Sequence, residues 1–140
     1  MMILVFHKPY GVLSQFTKEI PQHRTLAEFG FPKNVYPIGR LDWDSEGLLL
    51  LSDEKKWNDR LLHPSHAHER TYHVQVEGIP TEEAIARLKK GIVIQGYQTK
   101  PCSARLLQDP GYSARAVPIR ARLKIPTNWI ELKLSEGKNR

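Results

Sequence analysis

The chain has 140 residues, of which 40% are hydrophobic and 26% are charged, a composition typical of one folded globular domain. No apolar run is long enough to cross a membrane, and residues 1–6 lack the basic region of a signal peptide. The formal net charge of +6 favours polyanionic partners such as RNA. The single cysteine, Cys102, excludes an intrachain disulfide, so we expect a reducing, cytoplasmic location.

Short strands joined by turns are predicted for the first part of the chain. Pro9 fixes φ and Gly11 accepts positive φ, so a turn at Lys8 ends the first strand. Thr25 is placed to cap a short helix that ends at Gly30. The predicted elements cover residues 2–6, 25–29 and 34–39, with a polar surface loop at 14–24.

A run of four leucines, Leu48 to Leu51, follows an acidic loop. Such a run after Gly47 predicts a strand buried on both faces, or a short buried helix. A strand so buried cannot shift in register, and it therefore holds the preceding loop rigidly. That loop contains Asp42, for which the ordinary role is to cap a turn. Arg40 stands two residues earlier, on the same face of an extended chain, where its charge would keep the carboxylate ionised.

Helices and strands alternate through the rest of the chain. Residues 54–62 are predicted to form a helix, and Arg70 to Glu77 alternates as a half-buried strand. Thr81 caps a second helix, which Gly91 ends. Further strands are predicted at residues 92–94, 100–107, 116–125 and 129–134. Because strands outnumber helices and short turns join them, we predict one α+β domain over residues 1–140, with a largely antiparallel sheet and helices outside it.

Three histidines, His63, His66 and His68, lie close together and raise the question of a metal site. No cysteines cluster near them, and a loop of this kind lacks the fixed helix spacing of zinc enzymes. We therefore predict no metal, with the histidines solvated or facing RNA.

Four motifs carry a resemblance to a known family. They are Gly-Arg-Leu-Asp-x-x-Ser-Glu-Gly-Leu-Leu-Leu-Leu at residues 39–51, Lys-Pro-Tyr-Gly-Val-Leu-Ser at 8–14, Arg-Thr-Tyr-His-Val at 70–74 and Glu-Gly-Lys-Asn-Arg at 136–140. In this order they resemble the ribosomal RNA pseudouridine synthases related to the small-subunit 16S enzyme, over essentially the whole chain. Within that family the chain most resembles the branch without an N-terminal S4 RNA-binding domain, which includes the large-subunit enzyme E.

The resemblance implies the pseudouridine synthase fold, a mixed and mainly antiparallel sheet with flanking helices and a cleft across its middle. It implies isomerisation of a specific uridine in ribosomal RNA, in 23S rather than 16S RNA, with no cofactor and no metal. Asp42 is then the essential carboxylate, Tyr72 stacks on the flipped uracil and serves in proton transfer at C5, and Arg40 fills the hole in the RNA stack. The resemblance leaves open whether Asp42 attacks C1′, adds to the uracil or removes the 2′ hydrogen.

Each candidate residue also has an ordinary structural interpretation. Tyr72 suits a core position on an alternating strand, and Arg40 suits a salt bridge with Asp44 or Glu46. Four basic residues are candidates for phosphate contacts, with solvated surface positions as the alternative; these are Lys8, Arg70, Lys138 and Arg140.

The last motif is where the chain departs from the family pattern. In the family it continues with Gln, a hydrophobic residue and an Arg that pairs with the catalytic Asp, and these do not follow Arg140. We therefore expect a truncated monomer, either a synthase or a non-catalytic RNA-binding fragment of that family. Asp42 and Glu46 as the paired carboxylates of a glycoside hydrolase are a third interpretation. The basic charge and the lack of aromatic clusters speak against it.

Overall fold

The computed structural model describes residues 1–63, 65, 68–112 and 126–136. The chain divides into two compact units, Met1–His66 and Ala67–Arg140. Each unit has its own antiparallel sheet and at least one helix, so the predicted α+β class is confirmed. The prediction of one domain over residues 1–140 stays a prediction. No helix within the described ranges is long and apolar enough to cross a membrane.

The first unit is built on a three-stranded sheet in which the third strand along the chain lies between the first and the second. Both pairs are antiparallel, and Lys8 at the end of one strand lies opposite Gly47 at the start of the central one. The loop that contains Asp42 joins the two strands on one side of this sheet and leads directly into the central strand. The strands are β1 (Ile3–Lys8), β2 (Tyr36–Ile38) and β3 (Gly47–Ser52).

The leucine run forms the central strand β3, but it is not buried on both faces. Leu49 and Leu51 are 3% and 0% exposed, whereas Leu48 is 65% exposed. The prediction of two buried faces is therefore wrong, since an antiparallel sheet can leave one face to water where a parallel sheet usually cannot. The inward leucines join a core that holds the strand in register; its buried members are Val12, Leu26, Val35, Leu49 and Leu51.

The helical turns of the first unit follow their sequence signals with small shifts. A 3₁₀ helix covers Leu26–Phe29, and the Thr25 hydroxyl accepts a hydrogen bond from the backbone N–H of Ala27 at 3.2 Å. The predicted N-cap and the stop at Gly30 are thus confirmed. The helix predicted over residues 54–62 forms as α1 (Lys56–Leu62). It begins two residues late, because the Ser52 hydroxyl accepts the Glu54 N–H at 3.1 Å in a turn ahead of the helix.

The second unit has a three-stranded sheet, with the last strand of the chain, β8 (Thr127–Leu134), between β4 (Arg70–Glu77) and β7 (Ser103–Leu107), and a separate two-stranded hairpin. The strand predicted at residues 116–125 lies outside the described residues. All pairs within these two sheets are antiparallel. In chain order the elements are β4 (Arg70–Glu77), α2 (Glu82–Lys90), β5 (Val93–Ile94), β6 (Tyr97–Gln98), β7 (Ser103–Leu107) and β8 (Thr127–Leu134).

Helix α2 has the predicted boundaries for the predicted reasons. The Thr81 hydroxyl accepts the Ala84 N–H at 3.1 Å, which satisfies one of the free donors of the first turn. Gly91 ends the helix at a φ of 102°, and a side chain there would collide with the carbonyl oxygen of Thr99. The helix packs against β7 and so covers part of one face of the sheet.

A hydrogen-bonded network on that sheet links all three of its strands. Arg105 of β7 donates from Nε and Nη2 to the Glu131 carboxylate of β8, at 2.9 and 3.2 Å. The Nε2 atom of His73, on β4, lies 3.0 Å from the same carboxylate, and its Nδ1 lies 2.6 Å from the Tyr112 hydroxyl. Hydrogen bonds from Arg105, and then from His73, lower the pKa of Glu131 from 4.5 to about 2. The carboxylate is therefore ionised throughout the physiological range.

Candidate active site

Asp42 lies in the loop between β2 and β3, with its side chain exposed to solvent. Gly39 begins the loop at a φ of 80°, a conformation that glycine adopts without strain. The Ser45 N–H donates to the Asp42 carbonyl at 3.0 Å and closes a turn behind the carboxylate. Asp42 is thus not buried under apolar side chains, and its backbone lies in a hydrogen-bonded turn. Its carboxylate is accessible to a substrate.

Ser14 fixes the backbone immediately before Asp42. Its hydroxyl accepts the Leu41 N–H at 3.0 Å and donates to the Leu41 carbonyl at 3.1 Å. Ser14 is only 3% exposed, so water does not compete for these bonds. The surface loop predicted at residues 14–24 is therefore wrong at its first residue, because Ser14 is needed in the interior to satisfy a backbone that no strand partner satisfies.

Lys8 and Gly11 fix the backbone immediately after Asp42. The Gly11 N–H donates to the Trp43 carbonyl at 2.9 Å, and the Lys8 ammonium reaches the same oxygen at 3.4 Å. Together with the Ser14 contacts, these bonds hold Leu41 and Trp43, the two neighbours of Asp42. The position of the Asp42 backbone is therefore set from both sides by the Lys8–Ser14 segment.

The structure corrects the prediction that Lys8 holds a phosphate. Lys8 is 0% exposed, and its ammonium also donates to the carbonyls of Val12 at 2.8 Å and Pro9 at 2.9 Å. All three ammonium protons thus have carbonyl acceptors in the interior, and none is directed to a phosphate in solution. The alternative of a solvated surface position for Lys8 is also wrong, since the side chain is enclosed.

The buried ammonium lies beneath an acidic loop. Burial lowers the pKa of Lys8, while the charges of Glu46, Asp44 and Asp42 act in the opposite direction and raise it. The Lys8 ammonium is thus close enough to interact electrostatically with all three acids of the loop.

Arg40 is exposed and donates from Nη2 to the side-chain oxygen of Gln15 at 2.8 Å. Gln15 in turn donates to the Thr17 carbonyl at 2.7 Å, so the guanidinium rests on a short, solvent-facing chain of hydrogen bonds. Its proposed role in RNA stays a prediction, and its exposure is compatible with that role.

The other site residues predicted from the sequence lie in the second unit. Tyr72 and Arg70 project from the same face of β4, two residues apart, and both are partly buried. The Nε atom of Arg70 is buried and has no hydrogen-bond acceptor in the described part of the chain. Lys138 and Arg140 lie outside the described residues. All these assignments stay predictions.

The predicted absence of a metal also stays a prediction. Among the residues that the structure describes, no group of three or more His, Cys, Asp or Glu side chains is arranged to hold an ion. His66 falls outside that part of the chain.

The sequence-based reasoning missed two features beside Asp42. Ser14 was contained in a recognised motif, but its burial depends on a contact with a loop 27 residues away. Trp43 and Tyr10 form an aromatic pair with ring centroids 5.1 Å apart. The signal for the pair was available, since an aromatic residue directly follows the Asp and another lies inside the Lys8–Ser14 motif.

Comparison with known proteins identifies a family for this chain. A family model described as RNA pseudouridylate synthase matches residues 2–140. A crystal structure of a pseudouridylate synthase matches with a TM-score of 0.73 and 26% identity, over 97% of this chain and 52% of that one. The chain belongs to the RNA pseudouridine synthases, enzymes that isomerise uridine in RNA.

Relatives within that family carry more specific names. A protein of Xanthomonas axonopodis pv. citri (strain 306), ribosomal large subunit pseudouridine synthase E, is 46% identical over 99% of this chain and 74% of its own length. The Vibrio vulnificus (strain CMCP6) protein of the same name is 42% identical, over 99% of this chain and 58% of that protein. Ribosomal large subunit pseudouridine synthase B of Bacillus subtilis (strain 168) is 33% identical, over 97% of this chain and 51% of that protein.

Proposed function

We propose that the protein isomerises a specific uridine of ribosomal RNA, in the 23S rather than the 16S molecule, and that Asp42 is the essential carboxylate. The observation that carries this proposal is the two-sided hydrogen bonding of Asp42's neighbours around an exposed side chain. Chemistry at a ribose needs a carboxylate held in one geometry, because a displaced catalytic group loses most of its advantage. The names of the large-subunit relatives support 23S RNA as the substrate.

The reaction breaks the C1′–N1 bond, turns the uracil and joins C5 to C1′. The hydrogen on C5 leaves, and N1 ends with a hydrogen, so the product is an isomer and needs no cofactor. The uridine must first leave its stack, and Arg40, exposed in the same loop as Asp42, is the proposed occupant of the vacated space. Tyr72 is the proposed stacking partner of the flipped uracil and the group that assists proton transfer at C5.

Release of tritium from ribosomal RNA labelled at uridine C5 tests the proposal. We expect the wild-type protein to release tritium and Asp42→Asn to release none, because an amide cannot replace the carboxylate in any of the three routes. Asp44→Asn, which changes another exposed acid of the same loop, is the matched control and should stay active. Tritium release by Asp42→Asn would refute the assignment.

The same assay separates the alternative of a non-catalytic RNA-binding fragment. That alternative predicts RNA binding without tritium release, in the wild-type protein as well as in Asp42→Asn. We further propose that the protein acts as a monomer in the cytoplasm, where ribosomal RNA is found; sedimentation of the protein with and without RNA measures the first of these.

A further inference from the structure

The residue directly after Asp42 is a tryptophan that remains half exposed. Trp43 has 49% of its surface accessible, and its indole lies against the partly buried ring of Tyr10 at a tilt of 55°. Exposing a large aromatic surface beside a catalytic candidate costs favourable burial, and such exposed aromatic residues are common where bases or partners bind. The exposed indole, backed by Tyr10, therefore presents an apolar ring face in the same loop as Asp42.

Hydrogen bonds from the Lys8–Ser14 segment hold the Trp43 backbone before any ligand arrives. The Trp43 carbonyl accepts hydrogen bonds from the Gly11 N–H and the Lys8 ammonium. Gly11 has a φ of 81°, and a Cβ at this position would lie 4.0 Å from the indole atom Cζ2. Since the Trp43 backbone is held by Gly11 and Lys8, little backbone freedom is lost when a flat group stacks on the indole.

The charge around the pair selects the kind of group that can bind. The loop carries the carboxylates of Asp42, Asp44 and Glu46, all exposed, which repel a phosphate at this point. A nucleobase is uncharged and presents a π face, so it stacks on an aromatic ring without that penalty. The surface therefore fits a base of an RNA strand rather than its backbone.

We propose that Trp43, supported by Tyr10, stacks on an unpaired base next to the uridine that Asp42 engages. The inference rests on the proposed function, because the RNA that binds is the substrate proposed there. Consecutive Cα atoms are about 3.8 Å apart, so a base stacked on Trp43 belongs to a nucleotide close in the strand to the one whose ribose lies at Asp42. The pair thereby favours a uridine whose neighbouring base in the RNA is unstacked.

Two single-stranded RNA heptamers test the proposal. The first has a central uridine flanked by adenosines, and the second lacks the two bases next to that uridine. Wild-type protein should bind the second about 5- to 150-fold more weakly, the range expected when one base–aromatic stack is lost. Trp43→Ala should bind both heptamers equally weakly, because the stacking partner is already missing.

Further variants guard against misfolding and misassignment. Trp43→Phe keeps a ring, so it should bind like the wild type yet lose most of the tryptophan fluorescence quenching that RNA causes. Tyr36→Ala removes another exposed aromatic residue of the same unit, 61% exposed on β2, and should bind both heptamers like the wild type. Equal binding of the two heptamers by the wild type, or wild-type affinity in Trp43→Ala, would overturn the proposal.

Failure of this proposal is distinguishable from failure of the proposed function. All binding measurements can be repeated with Asp42→Asn, which should bind like the wild type whether or not it releases tritium. Tritium release by Asp42→Asn would refute the catalytic assignment and leave the stacking result standing. An inactive Asp42→Asn, together with wild-type RNA affinity in Trp43→Ala, would refute only the stacking.

Discussion

At the scale of single residues, the most informative side chain beside Asp42 is one that touches no substrate. Ser14 holds the N–H and the carbonyl of Leu41 in the interior. We expect Ser14→Ala to lower kcat about 10- to 100-fold, because a small displacement of a catalytic group costs that much. RNA affinity should change little, since Ser14 is buried. Single-turnover tritium release and heptamer binding measure the two effects separately.

Ser52 provides a matched control for this prediction. It is also 3% exposed, and its hydroxyl makes two hydrogen bonds, to the Met2 carbonyl and from the Glu54 N–H. It lies at the end of β3 remote from the Asp42 loop. Ser52→Ala should therefore lose about 1–2 kcal/mol of stability, as Ser14→Ala should, and keep its kcat. An equal loss of kcat in both variants would mean that Ser14 acts only through stability.

At the scale of elements, the sheet of the second unit depends on one carboxylate. Glu131 on β8 is bonded to Arg105 on β7 and to His73 on β4, so its charge joins three strands. The folded pKa of about 2 lies below the ordinary 4.5, and between these values the unfolded chain binds more protons than the folded one. The stabilisation is therefore complete above pH 4.5 and is lost as the pH falls toward 2.

This linkage gives a pH-dependent prediction for Glu131→Gln. The variant should be less stable than the wild type at pH 7, and the difference should shrink between pH 4.5 and 2 as the wild type loses its charge. Urea unfolding at pH 7, 4 and 3 measures the difference. Glu83→Gln removes a carboxylate from an exposed i, i+4 pair with Arg87, and should have little effect at any of these values. A difference that is constant with pH would contradict the role of ionised Glu131.

The elements also show what the sequence could and could not predict. Thr25, Thr81 and Gly91 mark helix ends through contacts within four residues, so their roles were predictable from local sequence. The exposure of Leu48 was not predictable from local sequence. Four consecutive leucines show no alternation of apolar and polar residues, so only the neighbours of the strand decide which face is covered. The burial of Lys8 was also not predictable, since its acceptor at Trp43 lies 35 residues away.

Across the whole molecule, the basic residues do not all serve the same function, and a buried lysine differs from those available to RNA. The chain has 21 Lys and Arg against 15 Asp and Glu, yet Lys8 is enclosed and donates its hydrogen bonds to backbone carbonyls. The net charge of +6 therefore does not say which cations meet RNA. A motif can identify the family, as it does here, and still misassign a lysine within it, because a motif records residue types and not exposure.

The salt dependence of RNA binding separates these functions. Phosphate contacts release counterions, so affinity for RNA falls with salt, and each contact contributes about 0.7 to 1 to the slope of log K against log[salt]. Arg70, which is only partly buried on β4, is a proposed phosphate ligand. Arg70→Ala should therefore reduce the slope by about that amount.

Lys8→Met should leave the slope unchanged, because the ammonium already donates to three backbone carbonyls and meets no phosphate. It should instead lower the free energy of unfolding by about 1–3 kcal/mol, the cost of leaving a buried acceptor unpaired. Binding of labelled single-stranded RNA between 50 and 200 mM salt, about the range in which phosphate contacts dominate, measures both slopes. A reduced slope in Lys8→Met, with the protein folded, would restore Lys8 as a phosphate ligand and contradict its enclosed position.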